Sequence, residues 1–283
     1  MAPYGEGGAV LEAFPARRAL EEEGVDLTGA RYRVKVVLRS GLDAEEKLAA
    51  LRRSLWHLCF IRKFADPQVR MVEDVDWSEE WRKSHGRIKP GRRIVVVPPW
   101  DDAGLENDER AVIVEPGSAF GGGAHPTTQL CIVLLERWLA PNDRVVDVGC
   151  GSGILSVTAA RLGAARIFAC DIDPRAVAAT VQCAAINSAA DSIDCRQGSL
   201  DSFDGKCELL VINIVASVID RLLPLVPARL VPGGRFVFSG ILADAEAALL
   251  SAMESVGLNA RERISHGDWI GLAGVSNDPP CAA

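Results

Sequence analysis

The rhythm of apolar and polar positions changes twice along the chain. Residues 32–38 alternate as a strand, Ser40 and Gly41 turn, and a helix starts at Asp43 with apolar positions Leu48, Leu51, Leu55 and Leu58. That stretch predicts a small α+β unit within residues 1–72. Residues 73–110 read as a connector. Its first part is charged and carries Trp77 and Trp81 four apart on one short helix, where they pack a helix face between domains. Residues 94–97 and 111–114 read as two strands bridged by the polar loop 101–110, the beginning of a hairpin. From Thr127 onward helices and strands alternate, the signature of a parallel sheet. The spacing predicts helices over 127–139, 154–160, 174–187, 218–230 (interrupted near Pro224 and Pro227) and 243–256. Between them fall strands at 145–146, 166–170, 195–197, 209–214 and 235–239, with Gly233 and Gly234 turning into the last. Two more strands, 258–264 and 269–275, are joined by His266, Gly267 and Asp268. Residues 111–276 thus form one doubly wound α/β unit, and 277–283 are a tail.

Chemistry enters at the first of these strands. Residues 145–153 read VVDVGCGSG, so Asp147 stands near the strand's carboxyl end and Gly149, Gly151 and Gly153 form a loop that opens a helix. Glycines permit a tight turn and let a ligand approach the main chain. Asp171, 22 positions after Gly149, ends the second strand, where its carboxylate can accept hydrogen bonds from ribose hydroxyls. Strand, loop, helix and acid together describe a nucleoside-binding crevice, although Asp171 as a turn cap is the plainer alternative. Dinucleotide binders use G-x-G-x-x-G, and here the last of those positions is Ile154, which argues against a nicotinamide dehydrogenase. Asn213 closes the apolar fourth core strand, and its carboxamide is either a ligand contact or a strand-end hydrogen-bonder.

Composition narrows the class. At 283 residues, 48% hydrophobic and 24% charged, the chain has the apolar material for one large or two modest domains. A net charge of −7 supplies no basic field for nucleic acid or anionic membrane, but suits a basic protein substrate. No apolar run reaches the roughly 18 residues of a membrane span, and the start MAPYGEGGAV has no signal-peptide pattern. None of the eight cysteines forms a C-x-x-C pair, so they read as small buried hydrophobes in a reducing cytoplasm rather than as a zinc site or disulfide frame.

Further motifs carry a resemblance. The segment EPGSAFGGGAHPTT (115–128) stands before VVDVGCGSGILS, CDIDPRAV, the strand end Asn213-Ile214-Val215-Ala216, and FSGILADAE (238–246). With the connector VEDVDWSEEWRKSHGRIKPGRRIVVVPPW they resemble the ribosomal protein L11 methyltransferase family (PrmA) over residues 31–275. The resemblance implies a mostly parallel seven-stranded Rossmann-like sheet closed by an antiparallel hairpin, with a small N-terminal substrate-recognition domain. It implies S-adenosyl-L-methionine as cofactor, contacted by Thr128, Gly149, Asp171 and Asn213, with S-adenosyl-L-homocysteine as product. The loop from Phe120 would close over it. The implied reaction moves methyl groups to the α-amine and lysine ε-amines of ribosomal protein L11 by in-line attack of a neutral amine, and Asn213 is the implied catalytic residue. At pH 7 a lysine of pKa about 10.4 costs roughly 4–5 kcal/mol to deprotonate and an α-amine of pKa about 7.8 only about 1, so no carboxylate is expected to pair with the amine. No metal is called for. The family pattern F-G-T-G departs here to Phe120-Gly121-Gly122-Gly123, which removes a hydroxyl from the loop. His125 reads as a loop-ordering hydrogen-bonder or, alternatively, a general base; Thr127 and Thr128 are also candidate helix caps. The rival functions are N-methylation of another protein or a small amine, and a non-catalytic nucleoside-binding module.

Overall fold

The computed structural model describes residues 9–14, 31–36, 86–101, 104–106, 108–115 and 123–277. By contacts the chain divides into two units, Met1–Val75 and Asp76–Ala283. In the first, β1 (Ala9–Phe14) pairs antiparallel with β2 (Arg31–Val36). The helix expected from Asp43, the Trp77–Trp81 pair, Phe120 and Gly122 all lie outside the described residues.

The second unit is built on a seven-stranded sheet. Its strands are β5 (Arg144–Val148), β6 (Arg166–Asp171), β7 (Ile193–Gln197), β8 (Cys207–Asn213), β9 (Leu230–Leu242), β10 (Leu258–His266) and β11 (Trp269–Ser276), in the spatial order β10-β11-β9-β8-β5-β6-β7. Five neighbouring strands run parallel, and the β10–β11 hairpin is antiparallel. Strand order reverses between β5 and β8, which opens a crevice outside their carboxyl ends.

Helices cover both faces. On one, α1 (Pro126–Trp138), α2 (Ile154–Leu162) and α3 (Pro174–Ile186) pack with Val145, Ile167, Leu209, Val211 and Val237. On the other, α4 (Ala216–Leu222), α5 (Val226–Arg229) and α6 (Glu246–Ser255) pack with Val146, Phe168, Leu210, Ile212, Phe236 and Phe238. Strand side chains alternate faces, so the central strands send alternate residues to the two clusters, and Cys207 and Ile241 break that parity where the register slips beside them. Pro at the first position starts α1 and α3, where a missing N–H costs no bond, and Asp173 caps α3 by accepting from the Arg175 N–H at 2.9 Å.

Two expectations need correction. The strands β3 (Ile94–Val97) and β4 (Arg110–Ile113) pair parallel, in register Ile94 with Arg110, and are not a hairpin. The polar stretch between them is long enough for a crossover, and two short β-rich runs look alike whichever way the second one runs. Nor is 86–110 merely a connector: its Ile94 and Val96 are buried in the α1–α2 core together with Val112 and Val114. The Glu136 carboxylate on α1 accepts the backbone N–H groups of Arg92, Arg93 and Ile94 at 2.8, 2.8 and 2.7 Å, fixing β3 to the helix. The strand expected over 235–239 is the middle of the longer β9, whose Gly233 and Gly234 lie where the pairing with β8 slips between Cys207 and Leu209.

Candidate active site

Alternation places four polar side chains on one face at the carboxyl edge of the sheet. Val145, Ile167, Leu209, Val211 and Val237 belong to the α1–α2 core, so Asp147, Asp171, Asn213 and Ser239 follow them onto that side. They stand on β5, β6, β8 and β9, neighbours across the strand-order reversal.

The loop from Gly149 to Gly153 turns with positive φ at each of its glycines, 75°, 55° and 81°. A Cβ on Gly149 would come within 2.8 Å of Ile214 Cγ2, and one on Gly153 within 2.8 Å of the Thr180 Cα. Only glycine lets the loop press this closely on α3 and the segment after β8, leaving its backbone to line the crevice. Gly153 then caps α2, whose first N–H groups point out of the helix toward the sheet edge.

Asp171 holds that loop as well as facing it. Its Oδ2 accepts from Gly151 N–H at 3.1 Å and its Oδ1 from Asp173 N–H at 3.0 Å. The turn-cap reading of Asp171 is therefore realised, and the carboxylate retains further lone pairs for hydroxyl donors. Thr128 is wholly buried on the first turn of α1, and its Oγ1 faces Asn213 Nδ2 at 3.5 Å. The structure thus brings Asn213 and Thr128 together, and Gly149 and Asp171 onto the neighbouring loop and strand end. Asn213 Oδ1 is buried without a hydrogen-bond partner among the described residues.

His125, not a threonine, caps α1. Its Nδ1 faces Thr127 Oγ1 at 2.8 Å and accepts from Thr127 N–H at 3.4 Å, and its ring stands edge-on to Trp269 with centroids 5.1 Å apart. Burial holds the imidazole below its ordinary pKa. These contacts match the loop-ordering reading.

Sequence reasoning weighed Asp147 only as part of the glycine pattern, yet it is the most perturbed acid of the site. It is 1% exposed; Oδ2 accepts from Ser156 Oγ at 2.6 Å, while Oδ1 has no partner among the described residues. Burial pushes its carboxyl up to about 6, the Ser156 hydrogen bonds offset part of this, and Asp171 nearby adds to it. The signal that could have found it is parity: 147, 171 and 213 end adjacent strands facing one way.

A glycine loop, a strand-end acid and two orphaned acceptors at the strand-order reversal of a doubly wound sheet are the arrangement of a Rossmann-like α/β enzyme. The model of the family described as ribosomal protein L11 methyltransferase (PrmA) matches residues 7–277. A ribosomal protein L11 methyltransferase of Pelotomaculum thermopropionicum is 41% identical over 206 residues, 72% of this chain and 67% of that protein. That of Herpetosiphon aurantiacus is 35% identical over 288 residues, covering 94% and 89%. A crystal structure of a ribosomal protein L11 methylase from Lactobacillus delbrueckii subsp. bulgaricus superimposes with a TM-score of 0.64 at 34% identity, over 68% of this chain and 99% of that one. The chain belongs to the ribosomal protein L11 methyltransferase family. No helix among the described residues is long and apolar enough to cross a membrane.

Proposed function

We propose that the protein methylates amines of ribosomal protein L11, the α-amine and lysine ε-amines, with S-adenosyl-L-methionine as methyl donor. The observation that carries the reading is the row of Asp171, Asp147 and Asn213 on one sheet face beside the glycine loop, with two buried acceptors left over. These residues fit the donor. Asp171 offers acceptors to ribose hydroxyls, Gly149 and its neighbours a Cβ-free wall, Thr128 a hydroxyl, and Asp147 Oδ1 an anionic acceptor for the cationic amino acid end. When bound, the cofactor supplies an electrophilic methyl group.

The chain's own residues then have to orient a neutral amine. Asn213 suits that task. Its Oδ1 accepts a hydrogen bond from an N–H while leaving the nitrogen lone pair available, and an amide does not favour the ammonium form as a carboxylate would. Asn213 Nδ2 donates to Thr128 Oγ1 at 3.5 Å, which leaves Oδ1 as the end offered to an amine. Trp269, half-buried and braced by His125, contributes an apolar wall at the same sheet edge, and a dry wall lowers the cost of deprotonating an amine. The acidic chain suits a basic ribosomal protein.

The test is incubation with isotopically labelled cofactor and purified ribosomal proteins. Label entering L11 alone, on its N-terminal and lysine amines by mass spectrometry, is the expected result. Label on another protein or a small amine, with L11 untouched, overturns the assignment of acceptor.

A further inference from the structure

Cys150 stands inside the glycine loop, between Gly149 and Gly151, and its sulfur lies 3.9 Å from that of Cys195 on β7. We propose that Cys150 and Cys195 are a disulfide-forming pair, a reversible modification site through which peroxide closes the nucleoside loop to its ligand. Their sulfurs are already neighbours across two elements, 45 residues apart in sequence. They also differ in the way a sensor pair needs: Cys150 is buried and Cys195 is partly exposed.

Chemical roles follow from that asymmetry. The hydrogen bond between the sulfurs, and then burial, push the Cys150 thiol up, while the same hydrogen bond lowers Cys195. Cys195, the partly exposed sulfur of the two, is the one that meets the oxidant as its thiolate. Its thiolate attacks one oxygen of hydrogen peroxide, the O–O bond breaks, and a sulfenic acid and hydroxide form. Cys150 sulfur then displaces the hydroxyl from Cys195 sulfur and the S–S bond closes. The two thiol protons join the two hydrogens and two oxygens of the peroxide and leave as two waters. A dithiol reductant reverses the change. Burial pushes Cys170, Cys183 and Cys207 up to about 12, 11 and 12, so these thiols stay protonated and slow to react.

Bond formation disturbs the contacts of the loop. An S–S bond is about 2.0 Å, so the sulfurs must approach by roughly half their present separation, which draws Cys150 Sγ away from the Thr180 hydroxyl that now holds it. At stake are the Thr180 Oγ1 hydrogen bonds to Cys150 Sγ and Gly151 O, both 3.2 Å, and Gly151 N–H to Asp171 at 3.1 Å. Losing them displaces the loop and the acid that face the nucleoside. This last consequence rests on the proposed cofactor site; the cross-link itself does not.

The experiment treats the full chain with stoichiometric hydrogen peroxide. It maps disulfides in non-reduced digests by mass spectrometry and measures S-adenosyl-L-homocysteine binding by calorimetry before oxidation, after it, and after dithiothreitol. Expected are a cross-linked Cys150–Cys195 peptide about 2 Da lighter than the two thiols, affinity reduced at least about tenfold, and recovery on reduction. Cys195→Ser should bind like the reduced protein and ignore peroxide. Oxidation without that cross-link, or a cross-linked protein of undiminished affinity, overturns the proposal. Should the reduced protein not bind S-adenosyl-L-homocysteine at all, the cofactor reading fails, and the peptide map still decides the pairing.

Discussion

Replacing Asp147 with asparagine should make the protein more stable at neutral pH and poorer at binding its nucleoside. In the folded chain the carboxyl is pushed from 3.8 up to about 6, chiefly by burial. A carboxyl group harder to ionise when folded adds stability below its unfolded pKa and loses it as pH rises through the folded one. Two pKa units at 1.36 kcal/mol each amount to about 3 kcal/mol of ionisation cost carried at pH 7. The substituted amide would be neutral throughout and still accept from Ser156 through its oxygen, at the position where Ser156 Oγ now donates over 2.6 Å. Its N–H₂ group, set where Oδ1 now lacks a partner, reclaims part of the gain, since an unpaired buried donor costs about 1–3 kcal/mol. A net gain of about 0–2 kcal/mol remains, up to some 8 °C in Tm at pH 7.5, shrinking to nothing or reversing by pH 4. Thermal or urea denaturation of both proteins from pH 4 to 8 reads this directly, and calorimetry with S-adenosyl-L-homocysteine reads the loss of affinity. Parallel stability curves across that range would refute the reasoning, because they would mean Asp147 ionises no differently folded and unfolded.

Other substitutions probe the remaining parts. Asp171→Ala should weaken nucleoside binding by about 1–3 kcal/mol, the worth of charge-assisted hydrogen bonds; unchanged calorimetric affinity would count against the ribose role. Asn213→Ala should cut turnover far more than it lowers Tm, and equal methylation rates would remove Asn213 from the reaction. Gly240→Ala should cost more than about 2 kcal/mol in denaturant unfolding, since φ is +83° and a Cβ would overlap the Ile214 carbonyl beside the site; a neutral result would show that the segment after β8 yields freely. Glu136→Ala leaves three backbone N–H groups at the start of β3 without their carboxylate, and about 1–3 kcal/mol of stability should go with it.

Much of the parallel core was legible because its signals are local. A β-rich run, a glycine loop and an apolar helix occupy consecutive residues, and the caps of α3 are spelled Asp173-Pro174. The direction of β4 was not legible, because nothing in Arg110–Ile113 encodes which way it runs along β3. Helix α1 shows another limit. Two threonines at its start look like caps, but Pro126 at the first helical position moves the cap back to His125 and sends both threonines into the core. The burial of Asp147 was harder to read for a subtler reason: strands buried on both faces read as continuous apolar runs, so β5 alone carries no alternation to show which way a single acid points.

That concealment bears on how the site works. Carboxylate oxygens and amide carbonyls buried without donors are costly, and native chains keep few of them. Here Asp147 Oδ1 and Asn213 Oδ1 are both so placed, on adjacent strands and one face, within reach of the same crevice. Their neighbours could have quenched them. Ser156 already donates to the other oxygen of Asp147, and Thr128 already takes the nitrogen end of Asn213. Each contact leaves one acceptor over and turns the side chain so that a donor-rich ligand completes it. A site with both acceptors satisfied internally would be a more stable protein and would have to break those bonds to bind a cation or an amine. On the proposed cofactor and amine roles, the destabilised acid and the orphaned amide are two halves of one arrangement: stability given up at both is recovered when a ligand brings hydrogen-bond donors.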